Sequence, residues 1–334
     1  MKGPTIVLAA LAALAASPAL AGPPESRSYA DRPEVRAFVR EMVQRHNFKE
    51  PELLRVFKRT KREDAILEAV EPPPADKARS WEEYRDIFIT ERRIDAGLAF
   101  WRRNQEPLER ARHLYGVPEE YIVAIIGVET FFGRNTGRWR VLDALTTLAF
   151  DYPPREEFFR SELENYLLYA RKVGVDMLSV KGSYAGAIGI PQFMPSSYLR
   201  YAVDFDGDGV ADLRNSATDA IGSVANFLRA HGWAAGEAVQ LDATVDGDAY
   251  RPYANDGLQP RYLLAELAKA GIVPIGAAPA GDMRATLVEL ETPDAPSEFR
   301  IGLQNFYVLT RYNRSSFYAS AVTDLAKALR AAIP

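Results

Sequence analysis

Residues 121–134, YIVAIIGVETFFGR, restrict what this chain can fold into more than any other stretch. Between Tyr121 and Phe132 every residue is apolar except Gly127, Glu129 and Thr130. The run is too long for an ordinary strand and apolar around most of its circumference, which predicts a helix buried on most sides. Near the end of such a helix the carboxylate of Glu129 must be paired, kept protonated or put to use. A low-dielectric pocket raises a glutamate's pKa, so the side chain can hold a proton near neutral pH and give it to a leaving group. Taken alone, Glu129 is better read as the end of a helix that reaches the surface near Gly133.

The chain has 334 residues, 47% of them apolar, enough for a substantial core in two domains or in one large domain with lobes. A formal net charge of -4 gives no global basic field for nucleic acid or an anionic membrane. Three widely spaced histidines (His46, His113 and His231) and no cysteine leave little for a zinc site and nothing for thiol chemistry. Lys2, the apolar run over 6–16 and the small residues Ala19 and Ala21 predict a secretory signal over 1–21. The run is short for a membrane span, and no cysteine follows the cleavage position to carry a lipid. The mature chain is therefore expected in the periplasm as a soluble, exported protein.

A flexible leader is expected over 22–33, followed by one domain over 34–334. Its helical N-terminal part covers 34–115, with Val35, Phe38, Val39, Met42 and Val43 on one helix face and a second helix over 50–57. Pro72, Pro73 and Pro74 break the pattern. Ser80 with Glu83 reads as a capping box, and Thr90 caps a helix over 91–115 that Pro107 kinks or splits. A core over 116–235 follows, with helices over 141–150, 155–172 and 217–231. Between them lies KGSYAGAIGIPQFMPSSY, residues 181–198. Its glycines allow close backbone approach. Ser183, Gln192, Ser196 and Ser197 bring uncharged hydrogen-bonding groups together, as sugar recognition needs, although a tight connection between packed helices accounts equally for the glycines. A lobe containing β-strands is expected over 236–311, with strands over 238–245, 286–291, 299–303 and 306–309 and a helix over 261–270. A C-terminal helix is expected over 315–332.

The sharpest local motif is DFDGDGVAD, residues 204–212. Asp204, Asp206, Asp208 and Asp212 occupy positions 1, 3, 5 and 9 of an EF-hand-type loop, Gly207 position 6, and Val210 offers a carbonyl at position 7. Position 12 is Asn215 instead of the usual glutamate, so the bidentate ligand is missing and Asn215 or a neighbour must close the sphere. The loop over 204–215 predicts a structural calcium or sodium ion, and the absence of a second loop argues against a calcium switch.

Five segments in order, GVPEEYIVAIIGVETFFGR, LDALTTLAFDYP, KGSYAGAIGIPQFMPSSYLRYAVDFDGDG, DAIGSVANFLRAHGW and NFYVLTRYN, together resemble the lytic murein transglycosylase B family. The resemblance implies a mainly α (α+β) fold: a lysozyme-like helical core with extra helices, the EF-hand-like loop and the small β-containing lobe. It implies that Glu129 is the sole catalytic acid/base, with Ser183 and Gln192 lining the cleft and Tyr312 and Asn313 closing it. Tyr84, Arg155 and Tyr318 look like the family's further cleft residues. Pro154 stands where the family often has the first of two arginines, a departure in how a peptide or distal sugar is held. Cleavage would be non-hydrolytic, between N-acetylmuramic acid and N-acetylglucosamine, leaving 1,6-anhydromuramoyl ends and needing no cofactor for catalysis. Expected partners are peptidoglycan glycan strands and proteins of cell-wall synthesis or turnover, no nucleic acid, with the chain acting as a monomer. A hydrolytic muramidase, a non-catalytic peptidoglycan-binding protein and a calcium sensor are the competing readings. The hydrolytic reading needs a second carboxylate, such as Asp151, Glu156 or Glu157, opposite Glu129; the non-catalytic reading predicts that Glu129→Gln changes nothing, and the sensor reading predicts a large cation-dependent conformational change.

Overall fold

The computed structural model describes residues 28–71, 79–277 and 280–333, in two compact units, 1–59 and 60–334. The signal expected over 1–21, the first part of the leader and the three prolines at 72–74 lie outside the described residues.

In the first unit the expected leader gives way early. Tyr29–Asp31 form a 3-10 turn capped by Ser28, and Tyr29 and Ala30 are buried. Pro33 then opens α1 (Pro33–His46), where its fixed φ suits a first turn and its missing N–H costs nothing. Asn47, at φ 57°, ends α1, and α2 (Glu50–Lys58) follows. Phe38 and Phe57 meet edge to face at 6.1 Å.

The second unit opens with α3 (Asp64–Val70) and α4 (Trp81–Phe88). The capping box of Ser80 and Glu83 is present in both directions at the start of α4. The helix expected over 91–115 is two helices, α5 (Glu91–Arg103) and α6 (Gln105–Tyr115). The break falls at Asn104, whose amide caps the Phe100 carbonyl, and Pro107 sits in the first turn of α6, where proline is tolerated. Gly116, at φ 73°, closes α6, and α7 (Glu119–Thr130) follows.

Helix α7 is the axis of this unit. Ile122 through Gly127 are all buried, because α5, α6, α11 (Ala217–Ala230) and α14 (Ser316–Ala331) pack around it. Each of its buried isoleucines contributes about 1.5–3 kcal/mol. Gly127 interrupts the apolar run for a steric reason. A Cβ there would lie 2.7 Å from the Phe132 ring, which folds back under the helix end.

Helices α8 (Val141–Asp151), α9 (Glu156–Val173) and α10 (Pro195–Tyr201) complete the helical part. Two short strands, β1 (Trp139–Arg140) and β2 (Lys181–Gly182), tie the start of α8 to the glycine-rich segment. The remaining strands are β3 (Gln240–Val245), β4 (Tyr262–Leu263), β5 (Ile272–Pro274), β6 (Arg284–Leu290) and β7 (Glu298–Gly302). They form an antiparallel sheet in the order β4-β6-β7-β3-β5, with Leu287 opposite Ile301 and Ala243 opposite Phe299. The helix α12 (Leu264–Lys269) packs beside it and is shorter than the 261–270 expected, because Tyr262 and Leu263 pair with β6. The strand expected over 306–309 is a helix, α13 (Gln304–Tyr312). Phe306, Val308 and Leu309 are buried there, and the short apolar run NFYVL carries no periodicity to separate the two states.

Candidate active site

Glu129 is the last residue but one of α7 and keeps partial solvent exposure. Surrounding protein desolvates it strongly and raises its pKa to about 7, against an opposing hydrogen bond from Tyr318. The Tyr318 hydroxyl donates to Glu129 Oε1 at 2.7 Å from the first turn of α14. Burial and the Glu129 charge hold the Tyr318 and Tyr312 hydroxyls well above the usual phenol range, and Tyr84 is raised by the same two causes. The rings of Tyr312 and Tyr318 lie nearly parallel, 6.4 Å apart. Tyr318 of α14 thus contacts the carboxylate, and Tyr84 of α4 and Tyr312 of α13 lie near enough to feel its charge.

The backbone beyond Glu129 is unusual. Phe131 and Phe132 both take left-handed conformations, at φ 50° and 61°. Two bulky residues in that region carry strain that the surroundings must hold in place. Thr130 does part of this. Its hydroxyl donates to the Ile190 carbonyl at 2.7 Å and accepts from the Gly133 N–H at 2.9 Å. From the other side, the Tyr312 hydroxyl donates to the Pro191 carbonyl at 2.6 Å. The segment 190–192 is therefore fixed both to the residue next to Glu129 and to one of its tyrosines. Gln192 is itself left-handed, at φ 52°, and its amide donates to the carbonyls of Thr136 and Gly189.

Ser183 lies in the turn that follows β2. Its hydroxyl accepts from the Ala187 N–H, and a Cβ on Gly137 would fall 2.0 Å from the Gly182 carbonyl beside it. Gly137, at φ 102°, is thus required for this approach. Asn313, exposed, follows Tyr312 directly at the end of α13. Arg155 is placed differently. Its guanidinium stacks on Phe158 at 4.2 Å and Phe159 at 5.1 Å in the elbow between α8 and α9, and none of its contacts reaches the tyrosines. Ser196 is also committed elsewhere, since its N–H and hydroxyl both donate to the buried Glu162.

The nearest carboxylates in sequence, Glu119 and Glu120, lie in the first turn of α7, and Glu119 pairs there with Arg112 at 2.7 Å. Asp143 pairs with Arg140 at 2.6 Å, and Glu156 pairs with Arg160 at 3.1 Å. Among the described residues no other carboxylate influences the Glu129 proton.

In the acidic loop the carboxylates of Asp204, Asp206 and Asp219 converge, with one oxygen of each within 4.8 Å of the others. Among the aspartates of the loop, Asp208 and Asp212 lie outside this carboxylate group. Asp208 accepts from the Val210 N–H, and Asp212 pairs with Arg214 and accepts from the Asn215 amide. Asp219, fully buried, accepts from the N–H groups of Phe205, Asp206 and Asp212 and so shapes the loop from α11. The EF-hand-type spacing ends at position 12, Asn215, and does not point to Asp219. The available signal was Ser216-Ala217-Thr218-Asp219, a capping pattern with an acid at the third helical residue. Clustered hard oxygens around a buried carboxylate fit a cation such as calcium. Also missed were Thr130 and the carbonyls of Ile190 and Pro191, whose roles depend on distant segments meeting.

Comparison with known proteins identifies the family. Residues 30–327 match the family model described as the transglycosylase SLT domain. The chain is 43% identical over 310 residues to the membrane-bound lytic murein transglycosylase B of Escherichia coli, covering 90% of this chain and 84% of that protein. Among solved structures, the soluble lytic transglycosylase SltB1 of Pseudomonas aeruginosa is 48% identical with a TM-score of 0.84, covering 90% of this chain and 99% of that one. The Escherichia coli lytic transglycosylase Slt35 in complex with calcium is 42% identical with a TM-score of 0.82, covering 91% and 95%.

Proposed function

Because the chain belongs to the transglycosylase SLT domain family and is a peptidoglycan lytic transglycosylase, we propose that Glu129 alone serves as its acid and then its base. The observation that carries this reading is the isolation of Glu129: a desolvated carboxyl with a pKa of about 7, ringed by tyrosines and influenced by no other described carboxylate. Most glycosidases that use water employ two carboxylates. With one, the substrate can supply its own nucleophile.

Protonated Glu129 gives its proton to the glycosidic oxygen between N-acetylmuramic acid and N-acetylglucosamine as the bond to C1 breaks. The N-acetyl group assists departure. The muramoyl C6 hydroxyl then attacks C1 and passes its proton to the Glu129 carboxylate, which restores the acid and leaves a 1,6-anhydromuramoyl end. Tyr318 orients the carboxylate and stabilises its ionised form between the two steps. Tyr84 and Tyr312 offer ring faces to the sugars, while Ser183, Gln192 and Asn313 supply uncharged hydrogen bonds. Arg155, held over Phe158 and Phe159, is assigned to a more distant part of the strand. A calcium ion held by Asp204, Asp206 and Asp219 would brace the loop between α10 and α11 and takes no part in the chemistry. The wall substrate and the signal-like residues 1–21 support a periplasmic location. Among the described residues no helix is long and apolar enough to cross a membrane.

Mass spectrometry of digested purified murein tests the reading. Anhydro ends, lighter by one water, are expected from the wild type and lost in Glu129→Gln. Reducing ends as the sole product would mean hydrolysis and refute it.

A further inference from the structure

Three guanidinium groups surround the ring of Phe131, two residues beyond Glu129. Those of Arg92, Arg93 and Arg134 lie 5.3, 5.1 and 5.2 Å from its centroid. No two of them can therefore be further apart than about twice that distance, so their charges repel. Among the described residues none of the three forms an ion pair, and their neighbours in sequence, Glu91 and Asp95, form none with them. In a chain of net charge -4 this is a local concentration of unpaired positive charge.

The three arginines are not equivalent. Arg93 is half-buried, donates to the Gly127 carbonyl at 3.1 Å, and has a buried Nε with no partner. It anchors the group to α7. Arg92 and Arg134 are exposed. A guanidinium stacked on a ring keeps its in-plane N–H groups free, in the fork that matches a carboxylate.

The patch is continuous with the site. Arg93 also lies 5.0 Å from the Phe88 ring, Phe88 lies 5.2 Å from Tyr84, and Tyr84 senses the Glu129 charge. The arginines are thus linked to the site through Phe88 and Tyr84, and through Phe131, two residues from the acid. The glycan backbone of peptidoglycan is uncharged. Its anionic part is the stem peptide on the muramoyl lactyl group, which carries several carboxylates.

We propose that Arg92, Arg93 and Arg134, gathered on Phe131, form a carboxylate-binding subsite that takes the stem peptide of a bound glycan strand. The proposal rests on the assignment of peptidoglycan as substrate and deepens it. It makes the enzyme selective for strands that still carry stems.

The test measures binding in the Glu129→Gln protein, where turnover is about a thousandfold slower and negligible over the measurement. Three ligands are compared: peptide-bearing strands, strands stripped of stems by an amidase (which keep one lactyl carboxylate per muramoyl residue), and neutral chito-oligosaccharides. Adding Arg92→Gln and Arg134→Gln is expected to lower the ratio of affinities for peptide-bearing over stripped strands by about tenfold. Arg93 is left intact because it also holds Gly127. An unchanged ratio overturns the proposal, as does an equal loss for all three ligands. Because binding is read without catalysis, the result stands apart from the product analysis. A wild type that yields only reducing ends refutes the single-carboxylate mechanism and leaves this ratio readable.

Discussion

Removing the Tyr318 hydroxyl should move the pH profile in the direction opposite to a simple loss of a catalytic helper. In Glu129 two influences oppose each other: desolvation raises the pKa, and the 2.7 Å hydrogen bond from Tyr318 lowers it, leaving about 7. Tyr318→Phe keeps the ring, its stacking on Tyr312 and its burial, and deletes only the donor. A hydrogen bond to a charged group is worth about 1.5–3 kcal/mol, and one pKa unit corresponds to about 1.4 kcal/mol. The carboxyl should therefore titrate about one to two units higher in the variant. The first step needs protonated Glu129, so kcat/KM falls as pH rises through this pKa. Release of anhydro fragments from purified murein, followed from pH 5 to 9, should show the alkaline limb of kcat/KM displaced upward by about one to two pH units. Activity should fall most near pH 5, where the deleted bond was needed by the ionised form. An alkaline limb that stays in place or moves down would show that Tyr318 does not govern the Glu129 proton.

Glu129→Gln should slow release of anhydro ends by about a thousandfold, read by mass spectrometry. The same variant should change how stability depends on pH. The folded carboxyl titrates near 7 and the unfolded one near 4.5, so its favourable neutral form is fully populated below 4.5 and stability is lost as pH rises to 7. Denaturant titrations at pH 4.5 and 8 should show the wild type losing up to about 3 kcal/mol more than the variant across that window; parallel curves would contradict the raised pKa. Gly137→Ala should destabilise by about 3 kcal/mol or more, since its Cβ would meet the Gly182 carbonyl in a left-handed backbone, and a loss under 1 kcal/mol would show that the approach is not required. Calcium should raise the melting temperature of the wild type, and Asp219→Ala should abolish that rise as well as lower the metal-free value, because three N–H groups lose their acceptor.

Where a segment's neighbours in sequence decide its structure, the sequence was informative. The capping box at Ser80, the Gly116 cap and the buried character of α7 all follow from local chemistry. Residues 306–309 mark the boundary of that method. Four apolar residues pack equally well as strand or helix, and contact with the sheet and α14 decides between them. The site divides in the same way. Glu129 stands out as a charge in an apolar helix, and Ser183 and Gln192 as polar residues among glycines. Asp219 does not stand out, because an acid at the third residue of a helix is ordinary until the loop before it folds back onto both its oxygens. Arg92, Arg93 and Arg134 read as solvated charges until α5 and the end of α7 bring them to one ring.

In the proposed mechanism, the position of Glu129 in its helix would let one carboxylate fill both roles. Helix α7 ends one residue later, so Glu129 lies at the negative end of the macrodipole, where ionisation is disfavoured. Burial adds to that, and together they hold the acid form that begins the reaction. The ionised form must also survive long enough to accept a proton, and Tyr318 provides for it by a bond directed at one oxygen. Arg93 contributes by another route. Its guanidinium binds the Gly127 carbonyl, as a cation at a helix C-terminus should, and fixes the frame from which Glu129 projects. A second carboxylate opposite would raise the pKa further by repulsion and favour a proton-locked pair. The tyrosines, held neutral by burial, surround the charge with dipoles that can follow it through both states without competing for the proton.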